Sequence, residues 1–170
     1  PEEAFRLLAT TVTWAFDPTV ASRRVMLVCL TRQKVEEVYD FCAKFAMTDF
    51  RLYKHHSGML LEDCQLNLAG FQQQSPSLLV STTGAATGVD FKGVKVMVHF
   101  GGTVDLLEYI QNVGRIGRDG SVSWSLMICW PASLELARSL CSDEDRRVWT
   151  GWQDVLSYIR PTHLNCHRSV

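Results

Sequence analysis

Short apolar runs alternate with amphipathic stretches through most of this 170-residue chain, and nothing else in it restricts the fold as strongly. Val25–Leu30 is apolar without a break, as in a strand covered on both faces of a parallel sheet. Thr31-Arg32 follows, then a helical pattern with Val35, Val38, Tyr39 and Cys42 on its buried stripe and Glu36, Glu37 and Lys44 on its wet face. Arg51–Lys54, Leu78–Ser81, Val94–Phe100 and Val122–Trp130 read as further strands. Between them, Leu60–Phe71, Val104–Asn112 and Pro131–Cys141 read as helices, the first with Leu61, Cys64, Leu68 and Phe71 at 3/4 spacing. Pro131 stands where a helix can spare an N–H. Nearer the start, Val12, Trp14 and Phe16 alternate with polar neighbours, which predicts a strand over Thr11–Phe16 ended by Asp17-Pro18. The fold expected is α/β, a three-layer parallel sheet with helices on both faces. Ligands on such sheets bind beyond the carboxyl ends of the strands. Thr31-Arg32, His55-His56-Ser57-Gly58, Ser81–Gly84 and Gly101–Thr103 each follow a strand, so the polar chemistry is expected along one rim.

The balance of 17 basic and 18 acidic side chains gives a net charge of −1, which rules out a domain-wide basic footprint. Any nucleic-acid contact must be a local strip. The apolar runs are far shorter than the ~20 residues of a membrane span, so no membrane partner is expected. Six cysteines occur without a C-x-x-C pair, a usage that fits a reducing, intracellular compartment, the nucleus if the source is eukaryotic. The chain opens on Pro1-Glu2-Glu3 without Met and reads as a fragment. Residues 1–141 read as the main unit, and residues 142–170, leading toward a truncated downstream module, as a helical extension. In it the charged Ser142–Arg147 precedes an amphipathic helix through Val148, Trp152, Val155 and Ile159 that Pro161 ends. His163, Cys166 and His167, with distant Cys141, have no recognised zinc spacing, and no metal site is expected within the chain.

The ten residues Gln111-Asn112-Val113-Gly114-Arg115-Ile116-Gly117-Arg118-Asp119-Gly120 carry the densest signal. Two arginines three residues apart share a helical face, and glycines around them allow close approach to another surface. A guanidinium is always charged and meets phosphate oxygens as a planar fork. Leu106, Leu107 and Ile110 are expected to anchor the inner side of the preceding helix. Ser81-Thr82-Thr83-Gly84 offers hydroxyls and backbone N–H groups at a strand end, a fitting phosphate cradle that also reads as a plain polar turn. Thr31 likewise reads as a helix N-cap, a role compatible with ligand contact.

The pattern Q-x-x-G-R-x-G-R-D-G resembles the last conserved motif of superfamily 2 helicases, and its Arg-Asp-Gly ending is most similar to the RecQ family of DNA helicases. Ser81–Asp90 resembles that family's motif V, with Ala85 where an aromatic is usual and Ala86-Thr87 where Gly-Met is usual. His56-Ser57-Gly58-Met59 resembles its H-A-G-L segment, and Cys29-Leu30-Thr31-Arg32 its motif IV. The resemblance implies the second RecA-like lobe of an ATP-dependent 3′–5′ helicase. Arg118 would be the arginine finger and Arg115 its neighbour, with Gln111, Gly88 and Asp90 toward the nucleotide. Thr31, Arg32, Ser57, Gly58, Thr82 and Thr83 would contact the DNA backbone, at a single strand and a duplex junction. ATP and Mg²⁺ would be held mainly by an N-terminal RecA-like lobe, because no G-x-x-x-x-G-K-[ST] occurs here. The lobe alone is expected to be catalytically silent. Alternatives are a non-catalytic nucleic-acid-binding remnant and the lobe of a superfamily 2 RNA helicase. On this reading the Arg118 guanidinium faces outward, near the rim that carries Thr82 and Ser57.

Overall fold

The computed structural model describes residues 2–20, 23–45, 50–86, 92–141 and 146–159. Five strands form one sheet: β1 (Arg24–Cys29), β2 (Arg51–His55), β3 (Ser77–Thr82), β4 (Val94–Phe100) and β5 (Trp124–Ile128). Their order is β2-β3-β1-β4-β5, and every neighbouring pair is parallel. The helices are α1 (Glu2–Ala15), α2 (Arg32–Phe45), α3 (Leu61–Gln73), α4 (Leu106–Val113), α5 (Pro131–Ser139) and α6 (Arg146–Ile159), with a 3₁₀ turn over Thr83–Ala86.

Alternation along the strands builds two cores. Val25, Leu27, Leu78, Val80, Val96 and Val98 pack with Leu8 and Val12 of α1 and Val35, Val38 and Cys42 of α2. Met26, Val28, Leu79 and Met97 face the other way, toward Phe71 of α3 and Ile116 after α4. An irregularity in the β1–β4 register, between Arg24 and Val25, puts Val94 on this second face. These are the three layers expected. A third cluster joins Ala137 and Cys141 to Trp152 and Val155 of α6.

The first element differs from expectation: Thr11–Phe16 is no strand, and Thr11–Ala15 is the end of α1. Ala4, Leu8, Val12 and Ala15 are buried at intervals of four, four and three, a helical period that outweighs the two-residue alternation of Val12, Trp14 and Phe16. Trp14 points outward and meets Trp124 edge to face at 5.5 Å. Helix α4 also sits differently. Leu107 and Ile110 are 61% and 55% exposed, while Tyr109 and Asn112 are buried. The ring of Tyr109 lies 4.7 Å from His99 and 5.5 Å from Tyr158, and those contacts turn the helix. In α3, Cys64 and Phe71 are buried as expected, but Leu61 stands 72% exposed.

Candidate functional site

The parallel order sets the polar clusters side by side at the carboxyl ends of the strands. Ser57 follows β2, Thr82 ends β3, and Thr31 follows β1, in the spatial sequence β2-β3-β1. Thr82 is registered with Cys29, so it sits directly beside the turn into α2. There Thr31 Oγ1 accepts the backbone N–H of Lys34 at 3.2 Å and Val35 N–H reaches Thr31 O at 3.0 Å, an N-terminal cap. Arg32, the first residue of α2, is exposed, as are Ser57 and Gly58. A Cβ built on Gly58 would lie 3.3 Å from Arg32 Cδ and 3.2 Å from His56 Nδ1, so the turn after β2 and the arm of Arg32 are in contact. Thr82 and Thr83 are half-buried where β3 passes into the 3₁₀ turn. The structure thus brings Thr31, Arg32, Ser57, Gly58, Thr82 and Thr83 together. Gly88 and Asp90 lie outside the described residues.

Beneath this rim lies a network that periodicity does not reveal. Glu36 Oε1 is 2.7 Å from His56 Nε2, and Glu36 Oε2 pairs with Lys54 Nζ. The Lys54 ammonium also stands 4.9 Å from the centroid of the Tyr39 ring. Hydrogen bonds from Lys54 and then His56 hold the Glu36 carboxyl below its ordinary range. His56 is 6% exposed, and its Nδ1 accepts the N–H of Gly58 at 3.1 Å. Glu36 belongs to the nominal wet face of α2, so helical pattern alone hides its partner from β2. The one available hint was the acid's place four residues after Arg32, one turn along the same helix face.

The arginine turn sits elsewhere. Asp105 caps α4 by accepting Leu107 N–H at 2.8 Å, and Gly114 ends the helix. Ile116 then inserts among Met26, Val94 and Met97. Gly117, at φ +66°, packs so closely on Ser123 that a Cβ would lie 2.5 Å from its Oγ. Ser123 directly precedes β5, which starts opposite Val96. The turn therefore lies by the amino-terminal ends of β4 and β5, about 16 Å from the rim at the strand rise of ~3.3 Å per residue. This corrects the expected proximity to Thr82 and Ser57. The expected outward direction is found: Arg118 is exposed, with its Nε donating to Gly114 O at 3.2 Å. Arg115 is half-buried, and Gln111 is exposed on α4. Asp119 accepts from Ser121 through both hydroxyl and backbone N–H, and those bonds lower its pKa. Position reverses for Glu108, whose carboxyl burial, with Asp105 nearby, pushes up.

For the nucleotide that the resemblance implies, the fit is partial. Two guanidiniums on a glycine-rich turn suit the anionic end of a triphosphate. Among the described residues, no group of three or more His, Cys, Asp or Glu could hold a metal ion. No described helix is long and apolar enough to cross a membrane.

Comparison with known proteins agrees with this architecture. The ATP-dependent RNA helicase DBP8 of Phaeosphaeria nodorum is 31% identical over 123 residues, spanning 72% of this chain and 24% of that protein. The mouse bifunctional 3'-5' exonuclease/ATP-dependent helicase WRN is 24% identical over 75% of this chain and 8% of its own length. The chain thus spans a quarter or less of these curated relatives. Among solved structures, domain 2 of the DEAD-box helicase Mss116p bound to an RNA duplex superposes with a TM-score of 0.65, at 16% identity, over 92% of this chain and 64% of that one. Residues 9–120 match the model of the helicase conserved C-terminal domain. The parallel five-stranded sheet is the RecA-like fold of those neighbours, and the chain belongs to the helicase conserved C-terminal domain family of superfamily 2.

Proposed function

We propose that this chain is the second motor lobe of an ATP-dependent, RecQ-like DNA helicase. The observation that supports the reading is the exposed Arg118 beside Arg115 on the Gly117–Gly120 turn; its separation from the rim departs from the proximity the reading expected. Arg118 and Arg115 would meet the phosphates of ATP held by an N-terminal lobe. Gln111, with Gly88 and Asp90, would complete the nucleotide side. The rim residues Thr31, Arg32, Ser57, Gly58, Thr82 and Thr83 would hold the backbone of one DNA strand. Helix α4 touches the 3₁₀ turn after Thr82 and ends two residues before Arg115, so it would link the two sites. When bound, ATP with Mg²⁺ supplies the transferable phosphoryl group. This chain's part is to place positive charge against it, which is worth ~10³–10⁵ in rate for an arginine finger. Residues 142–170 would be the helical extension that follows the lobe.

The test is Arg118→Ala in the full-length protein. ATP hydrolysis stimulated by nucleic acid should fall by ~10³ or more, while affinity for a single strand stays within severalfold. Equal loss of both would make Arg118 a nucleic-acid contact and sink the assignment. A second reading, an RNA helicase lobe, is supported by the similarity to DBP8 and Mss116p. Unwinding assays on matched DNA and RNA duplexes separate the two: activity on RNA alone replaces the DNA reading.

A further inference from the structure

Helix α2 touches the turn after β2 at two points one helical turn apart. The arm of Arg32 lies against Gly58, and the head of Glu36 reaches His56. Arg32 and Glu36 are i and i+4, so they share the face that looks toward β2. Gly58 N–H donates to His56 Nδ1, so Nδ1 carries no proton. Nε2 then carries it and donates to Glu36 Oε1. Lys54 engages the second carboxylate oxygen, which keeps Glu36 aimed at the ring. The carbonyl of His56 accepts Met59 N–H at 3.1 Å and the Cys64 thiol at 3.6 Å. The two ring nitrogens thus join α2 to the turn, the carbonyl bonds hold the turn's exit, and the exposed residues of that turn are Ser57 and Gly58.

We infer that Glu36 and His56 are a positioning pair: they fix the Ser57-Gly58 backbone, in register with Arg32, for a phosphate of the bound strand that neither of them touches. The inference rests on the reading of this rim as the nucleic-acid contact. The Gly58 N–H is engaged by the imidazole, so the groups of this turn left for a phosphate are those of exposed Ser57; they need to be pre-set, since an ordering cost met at binding subtracts from affinity. The imidazole meets that cost in advance by acting as an acceptor two residues back, as an Asn or Asp side chain does in an Asx turn. The glycine is part of the same device, because a side chain at position 58 would press on both the imidazole and the Arg32 arm.

The experiment measures ATP hydrolysis by the full-length protein against concentration of a single-stranded oligonucleotide. His56→Ala should raise the half-saturating concentration about tenfold, the scale of one lost hydrogen bond, and leave the plateau rate unchanged. His56→Asn should return it to within about threefold of wild type, since its Oδ1 can accept from Gly58 N–H although it cannot reach Glu36. Glu36→Gln keeps an acceptor for Nε2 and should stay within about twofold, whereas Glu36→Leu should weaken binding severalfold. No change in His56→Ala, or an Asn variant as weak as the Ala variant, overturns the inference. If His56→Ala does not fold, the Asn variant and the Gln/Leu pair at position 36 decide in the same way. Arg32→Ala separates the two claims. If it leaves half-saturation unchanged, the rim reading has failed; if it weakens binding while His56→Ala does not, only the positioning pair has.

Discussion

One side chain can be legible in sequence for what it is and illegible for where it stands. Arg118 was marked by its glycines, and the structure shows it exposed, yet at the opposite end of the strands from Thr82. Its placement depends on Gly117, whose positive φ and contact with Ser123 leave no room for a Cβ. Gly117→Ala should cost about 1–3 kcal/mol in urea unfolding and lower ATP hydrolysis by the full-length protein more than strand binding. A buried histidine supplies a second prediction. His99 is almost wholly inside, edge-on to Tyr109, and burial pushes its pKa down to about 4 from 6.5. Between those values the unfolded chain binds more protons than the folded one, so stability is full above the window and falls as pH drops through it. Wild type should lose about 2 kcal/mol more than His99→Phe between pH 7 and 5, compared by denaturant unfolding. Equal slopes for the two would deny that the histidine is buried neutral.

Elements announce themselves by period, and their facing is less secure. Four of the five strands are readable because each is a largely apolar run bounded by polar turns, whereas β2, Arg-Leu-Tyr-Lys-His at the sheet edge, carries only Leu52 and Tyr53 as its signal. The end of helix α1 resembles a strand because Val12, Trp14 and Phe16 alternate locally, while Ala4, Leu8 and Val12 declare the helix only over a longer window. Helix α4 has eight residues, too few for apolar spacing to choose between faces, and Tyr109 made the choice through His99. In α3, Gly70 looks like an ordinary helix weakener, but a Cβ there would lie 2.4 Å from Tyr53 Cε1 of the edge strand β2. Gly70→Ala should therefore destabilise by about 1–3 kcal/mol as overpacking, against the ~1 kcal/mol gain that propensity alone would give. A rise in melting temperature would refute this. Helix α6 depends on Trp152, buried against the α5 cluster. Trp152→Ala should cost about 3–5 kcal/mol and speed hydrogen exchange in α6 more than in β1 or β4.

For the molecule as a whole, a net charge of −1 and a compact rim imply few phosphate contacts. With Arg32 the one cation among the six rim residues, this rim's share of the fall of log affinity for single strands with log salt should be a slope near −0.7; a slope beyond about −3 would require a basic surface outside the described rim. The parallel sheet, the three layers, the shared polar rim and the superfamily 2 helicase assignment were within reach of the sequence, because apolar strands, helical stripes, polar segments after strands and the Gly-Arg-x-Gly-Arg run are local patterns that survive without coordinates. Which residues meet across the fold was not. The strand order β2-β3-β1-β4-β5 was settled only in the fold, Glu36 found His56 across twenty positions, and the arginine turn came to rest a strand's length from the rim. Those outcomes depend on register and on which side chains fill the space between elements, and close packing settles them only when all the elements are present together.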